Sequence, residues 1–131
     1  MRRLVFALAV GCAAALPAAA GACPSGLRPA AAAQLFFGRD EAAGVSDVDW
    51  RAFVDEEITP RFRAGLTVSD VYGQWRGRNG AFVREPSKAL LLVLEGGPGE
   101  QARLHAVRAA YERRFRQSSV LLVEQKACVA F

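Results

Sequence analysis

Histidine and cysteine, on which many protein metal sites depend, are scarce in this sequence. The 131 residues include one histidine, His105, and three cysteines, and no two of these cysteines are spaced as CxxC. A single histidine excludes a site built from several histidine ligands, and the cysteine spacing gives no thioredoxin-like redox motif. We therefore expect neither a metal site nor a cofactor.

A large excess of charge of one sign is also lacking. The chain has 17 Lys and Arg against 13 Asp and Glu, a net charge of +4. Arg2 and Arg3 lie in a segment that we expect to be removed, which leaves 15 basic against 13 acidic side chains, or +2. Nucleic-acid-binding domains carry a clustered basic surplus, so we expect no nucleic-acid partner. The length and the 52% hydrophobic content suit one folded domain.

The first 22 residues, MRRLVFALAVGCAAALPAAAGA, have the layout of a secretory signal peptide. Two arginines precede an apolar run from Leu4 to Leu16, and small residues follow. Alanine, glycine and proline dilute the run well before the ~20 apolar residues that a membrane span needs. The small-x-small rule allows cleavage after Ala20 or after Ala22. We expect an exported protein, periplasmic or secreted.

Two cysteines remain after this cleavage, Cys23 and Cys128, one near each end of the mature chain. In an oxidising compartment such a pair predicts a disulfide. The alternative is a lipoprotein in which Cys23 is lipidated and Cys128 is buried as a free thiol, although Ala20 replaces the usual leucine of a lipobox. Only in that case would the protein be attached to a membrane.

The mature chain reads as an irregular arm over residues 23–33 followed by a folded domain over residues 34–131. Apolar and β-branched runs predict strands at residues 34–39, 66–76, 82–95 and 120–131. Helical spacing predicts one helix that begins after Ser46 and ends near Pro60, and a second over residues 100–115. Ser46 and Asp49 form a capping-box variant, and Asn79-Gly80 predicts a type I′ hairpin turn.

The order strand, helix, strand, strand, helix, strand is typical of the ferredoxin-like α+β fold, a split βαβ unit. Two helices then cover one face of an antiparallel sheet, and the first strand lies between the third and the last. This order brings the chain ends together, which favours the disulfide. The run from Leu90 to Leu94 is apolar on both faces. We therefore expect a second copy to cover the open sheet face in a homodimer.

Five polar side chains lie at neighbouring strand ends in this topology: Arg39, Gln74, Arg76, Glu85 and Lys88. Such a cluster would suit an anionic or planar ligand. The alternative is a network of ion pairs around the hairpin, which are individually weak and also group charged side chains.

Several stretches resemble one protein family. LFFGR (35–39), VSDVDWRAFVDEEITPRF (45–62), GLTVSDVYGQW (65–75) and REPSK (84–88), together with Cys128, occur in the same order as in the bacterial domain of unknown function 3574. The resemblance implies a small exported or lipoprotein-like protein and carries over no catalytic residue.

No recognisable catalytic site emerges, because His105 falls on the predicted solvent face of the second helix. The sequence predicts an exported binding or interaction module. One alternative is an enzyme of the dimeric α+β barrel type that works with polar groups at the sheet face. A second alternative is a structural envelope lipoprotein.

Overall fold

The computed structural model describes residues 22–39, 44–77 and 79–131. The strands are β1 (Arg28–Gly38), β2 (Thr67–Arg76), β3 (Phe82–Leu94) and β4 (Leu121–Val129). The helices are α1 (Asp47–Phe53), which continues as a π-helical turn (Val54–Ile58), and α2 (Glu100–Phe115). The predicted signal peptide, residues 1–22, lies outside the described residues apart from Ala22.

The four strands form one antiparallel sheet in the order β2-β3-β1-β4. Alternate residues of the central strands, such as Leu35 on β1 and Leu90 on β3, join the helices in a single buried core. Both helices therefore cover the same face. This is the ferredoxin-like α+β fold that the element order predicts.

The start of α1 follows its local sequence. The Ser46 hydroxyl accepts a hydrogen bond from the Asp49 backbone N–H at 3.1 Å, and the Asp49 carboxylate accepts one from the Ser46 N–H at 3.2 Å. This reciprocal pair is the predicted capping box, and it satisfies two N–H groups that the helix leaves without partners. The chain leaves the helix near Pro60, as predicted, after the Thr59 N–H bonds the Val54 carbonyl at 2.8 Å.

Aromatic rings fill the core between the helices and β1. The rings of Phe37, Trp50, Phe53 and Tyr111 lie with centroids 4.8 to 6.1 Å apart. The hydroxyl of the buried Tyr111 donates to the Gly38 carbonyl at 2.9 Å, and burial raises the pKa of this phenol. Its one polar atom is therefore satisfied at the end of β1.

The first strand begins earlier than the sequence indicates. Arg28 to Ala33, part of the predicted irregular arm, already belong to β1. Alanine has little intrinsic preference for strands. Here, however, Ala31 to Ala33 have partners on both sides, β3 from Leu92 to Leu94 and β4 from Glu124 to Lys126. The backbone ladders on both edges hold this segment extended, which no local pattern could indicate.

The predicted type I′ turn is wrong. Gly80 has a φ of +80°, whereas Asn79 is not among the described residues with positive φ. The Gly77 N–H bonds the Ala81 carbonyl at 2.8 Å, and the Gly80 N–H bonds the Gly77 carbonyl at 2.9 Å. The connection therefore ends in a left-handed glycine and lacks the second positive φ that a type I′ turn needs. Asn79 contributes its side-chain oxygen, which accepts from the Ala81 N–H at 3.1 Å.

A disulfide joins Cys23 to Cys128, as the two-cysteine count and the topology predict. The Cα atoms are 5.6 Å apart, and the bond closes a sequence separation of 105 residues. Such a bond suggests an oxidising, exported environment. Neither helix in the described part of the chain is long and apolar enough to cross a membrane.

Candidate functional site on the open sheet face

The five predicted polar side chains do not form one cluster. Glu85 and Lys88 are three residues apart on β3, and alternation along a strand places them on opposite faces of the sheet. Lys88 lies on the helix side, opposite the core residue Phe37, whereas Glu85 lies on the open side. The predicted cluster therefore divides into three separate groups.

The first group contains Lys88 and Arg39, and it joins α1 to the sheet. The Lys88 ammonium bonds the carboxylates of Asp47, at 3.0 Å, and Asp70. Arg39 also reaches Asp47, at 3.0 Å, and donates to the Val45 carbonyl at 2.6 Å. The hydrogen bond from Lys88 lowers the pKa of Asp47, and the bond to Asp70 raises the pKa of Lys88. These charges are matched within the fold, so this group has a structural role.

The second group lies at the exposed end of the hairpin. Arg84 on β3 donates to the Gln74 side-chain oxygen on β2 at 2.6 Å. The Arg76 guanidinium lies 5.4 Å from the centroid of the Phe82 ring. Both contacts link directly opposed residues of the β2–β3 pair, which is the usual way in which side chains stabilise a sheet.

The third group is the candidate site, and it centres on Glu85. This side chain is only 8% exposed, and its carboxylate accepts a hydrogen bond from the Trp75 indole N–H at 3.0 Å. A Cβ atom at Gly38 would lie 2.5 Å from Glu85 Oε1. The carboxylate can lie over the β1 backbone only because residue 38 has no side chain.

A cavity of about 350 Å³ opens beside this pair on the open sheet face. Its sheet walls include Gly73, Trp75, Glu85 and Ser87, and residues 117–119 between α2 and β4 form another wall. Gly73 lies directly opposite Glu85, and a Cβ there would sit 3.4 Å from the Ser87 hydroxyl. Glycines on both strands that flank β3 therefore lower the sheet surface and make room for the cavity.

Sequence reasoning identified Glu85 but not the residues around it. Trp75 lies on the open face of β2, opposite to the face of its neighbours Gln74 and Arg76, and its side chain borders the cavity. One feature of the sequence does point to the cavity. Glycine inside a strand often marks a place where a ligand or another backbone segment comes close to the sheet. Gly73 is such a glycine, and it lies two residues before the exposed Trp75.

Apolar side chains also lie on the open face, outside the pair of Trp75 and Glu85. Leu91, Gln34 and Val123 form one row across β3, β1 and β4, and Phe36 and Leu121 belong to the next row. Leu91 is 38% exposed, Val123 41% and Leu121 59%. With Val93, which is half-buried on the same face, these apolar side chains form what we call the apolar patch: Phe36, Leu91, Val93, Leu121 and Val123.

The structure gives no support for a metal centre in the ranges that it describes. No group of three or more His, Cys, Asp or Glu side chains there has the arrangement to hold an ion. His105 lies exposed on α2, where the sequence places it.

The sheet order, the two helices on one face and the joined chain ends define a small ferredoxin-like α+β protein. The chain belongs to the DUF3574 family, described as proteins of unknown function, which it matches over residues 32–131. The match confirms the family resemblance seen in the sequence. No protein with a curated description is significantly similar to the chain in sequence.

Two solved structures share the fold at low sequence identity. A phage SAM lyase in complex with S-methyl-5′-thioadenosine superposes with a TM-score of 0.60 and 16% identity, over 87% of this chain and 97% of the lyase chain. CutA from Synechococcus elongatus, complexed with Bis-Tris, superposes with a TM-score of 0.52 and 8% identity, over 79% of this chain and 87% of the CutA chain. At these identities the similarity concerns the fold alone.

Proposed function

We propose that the protein is an exported interaction module that associates with a second copy of itself through the open sheet face. The observation that carries this proposal is the apolar patch. Its five side chains lie on the face that the helices leave uncovered, and three of them are more than one-third exposed. Contiguous exposed apolar surface of this kind is typical of interaction sites in soluble proteins.

The size of the open face agrees with a symmetric dimer. Four strands spaced by about 4.8 Å, each about 3.3 Å per residue over the nine residues of β4, give a face of about 600 Å². Two such faces would bury about 1,200 Å², which is the lower end of the range for stable interfaces. A twofold pairing would also place identical apolar rows against each other.

The location is supported by two independent features. The first 22 residues have the layout of a signal peptide, and the Cys23–Cys128 disulfide suits an oxidising compartment. A lipid anchor on Cys23 would consume the sulfur that this bond uses. The structural lipoprotein alternative therefore requires Cys128 to be a free thiol.

The enzyme alternative has one observation in its favour, the cavity beside Glu85. A buried carboxylate in a cavity wall is a frequent feature of active sites. The Trp75 indole, however, holds this carboxylate against the sheet. Among the described residues that line the cavity, Glu85 and Tyr72 are the two with titratable side chains. We therefore place binding ahead of catalysis.

The oligomeric state of the exported, oxidised protein tests the proposal. Sedimentation velocity should show a dimer at micromolar concentration, and Val123→Glu should convert it to a monomer with an unchanged circular dichroism spectrum. Val48→Glu is the matched control, because Val48 is 67% exposed on α1, away from the open face. A wild-type monomer at high micromolar concentration would refute self-association, and so would a Val123→Glu protein that remains dimeric.

A further inference from the structure

Trp75 presents an aromatic surface to the cavity in the open sheet face. The side chain is 44% exposed, and its one polar atom, Nε1, donates to Glu85 Oε1 at 3.0 Å. The hydrogen bond holds the indole in one orientation while part of the ring surface stays accessible. An aromatic ring that is already fixed loses little conformational freedom when a ligand stacks on it.

Gly73 gives the cavity a low floor next to this ring. Because a Cβ at this position would sit 3.4 Å from the Ser87 hydroxyl, any larger side chain there would project into the cavity. The volume of about 350 Å³ lies near the lower limit of typical ligand sites, which run from about 300 to 1,000 Å³. The space therefore suits a ligand of one or two rings.

Neutral hydrogen-bonding groups border the other sides of the cavity. Ser87 is buried on β3, and Gln117, Ser118 and Ser119 come from the segment that connects α2 to β4. They supply hydroxyl and amide groups that can both donate and accept, without a formal charge. An aromatic surface beside such groups matches a ligand with a flat ring and a polar edge.

We propose that this cavity binds a small planar heteroaromatic molecule, such as a nucleobase-like ring. The ring stacks on Trp75, and its polar edge bonds to Ser87 and to the 117–119 segment. The cavity shares Phe36 and Leu121 with the apolar patch, whereas Leu91, Val93 and Val123 lie outside its lining. Every residue of the proposed site comes from one copy of the chain, so the proposal does not require self-association. The monomeric Val123→Glu protein should therefore bind the same ligand.

NMR spectroscopy can test the stacking directly. The chain has two tryptophans, so a proton–nitrogen spectrum contains two indole signals, one from Trp75 and one from Trp50, which is buried in the core. Trp75→Phe identifies the first signal by removing it. In the exported wild-type protein, adenosine should shift the Trp75 signal saturably and leave the Trp50 signal in place.

Ribose and indole serve as control ligands. Ribose lacks a planar ring, so it should shift neither signal. Indole has the flat ring but only one polar group, so it should bind at least about tenfold more weakly than adenosine, a difference of about 1.4 kcal/mol. A ribose response equal to that of adenosine would refute stacking, and indole binding as tight as adenosine would refute the role of the polar edge.

Matched variants locate the site. Gly73→Val narrows the cavity and should weaken adenosine binding by about tenfold or more, whereas Ser69→Val, on the same face of β2 but outside the cavity, should leave it unchanged. Ser118→Phe narrows the cavity from the exposed loop and avoids a change in the sheet. The proposal is overturned if adenosine gives no saturable shift of Trp75, or if Gly73→Val and Ser118→Phe both bind as the wild type does.

Discussion

Replacing Cys128 by serine should remove a large fraction of the free energy of unfolding of the exported protein. The Cys23–Cys128 bond spans 105 residues, and for a loop of this length the chain-entropy model gives a stabilisation of about 4.8 kcal/mol. Measured values for such bonds are often smaller, so a loss of about 3 to 5 kcal/mol is expected. Small domains have total stabilities of about 5 to 15 kcal/mol, so this loss is a large fraction of the whole.

Urea denaturation of the oxidised wild type, Cys128→Ser and the double variant Cys23→Ser/Cys128→Ser measures this loss. The two variants should have equal free energies of unfolding, and added reductant should lower only the wild type to their level. Free energies must be compared rather than midpoints, because a cross-linked unfolded chain is more compact and changes the denaturant slope. A Cys128→Ser protein within about 1 kcal/mol of the oxidised wild type would refute the disulfide account.

Three further predictions concern the packing and charges around the sheet. Gly38→Ala should lower the free energy of unfolding by about 1 to 3 kcal/mol, because its Cβ would lie 2.5 Å from Glu85 Oε1; thermal unfolding equal to the wild type would contradict this crowding. Burial raises the pKa of the Tyr111 hydroxyl above its ordinary value of 10.0. The contribution of the neutral phenol to the free energy of unfolding should therefore be present below pH 10 and be lost as the pH rises further. Denaturation at several pH values should show a smaller alkaline loss of stability for Tyr111→Phe than for the wild type. The hydrogen bond from Lys88 lowers the pKa of Asp47 below its ordinary value of 3.8. The contribution of the ionised Asp47 carboxylate to the free energy of unfolding should therefore be present above pH 3.8 and be lost as the pH falls further. Asp47→Asn should then lose less stability in acid than the wild type, and an equal acid loss in the two proteins would show that this ion pair contributes nothing.

The architecture is predictable from the sequence because its signals are local and mutually consistent. The capping box at Ser46 and the helical spacing of Leu104 and Val107 each indicate one helix, and the apolar run from Leu90 to Leu94 indicates a strand. The element order then leaves few topologies, and the one that joins both chain ends also explains the two cysteines.

The polar site is less predictable because it depends on which face each strand residue occupies. Lys88 is only three residues from Glu85, yet it lies among helix-side carboxylates while Glu85 lies under an indole on the other face. The five polar residues are close together at the strand ends, which predicts one cluster, but the two faces of the sheet separate them into three groups. The early start of β1 at Arg28 has a similar origin, since pairing with two neighbouring strands outweighs the local preference of alanine.

Native mass spectrometry of the protein purified from its own cell envelope reports its processing, its disulfide and its oligomeric state together. We expect a dimer of the processed chain in which each copy is two hydrogens lighter than the reduced chain and carries no lipid. Reduction followed by alkylation should then add two alkyl groups to each copy. A monomer that carries a diacylglyceryl group on Cys23, or two thiols that are alkylated without reduction, would contradict an exported, disulfide-closed interaction module.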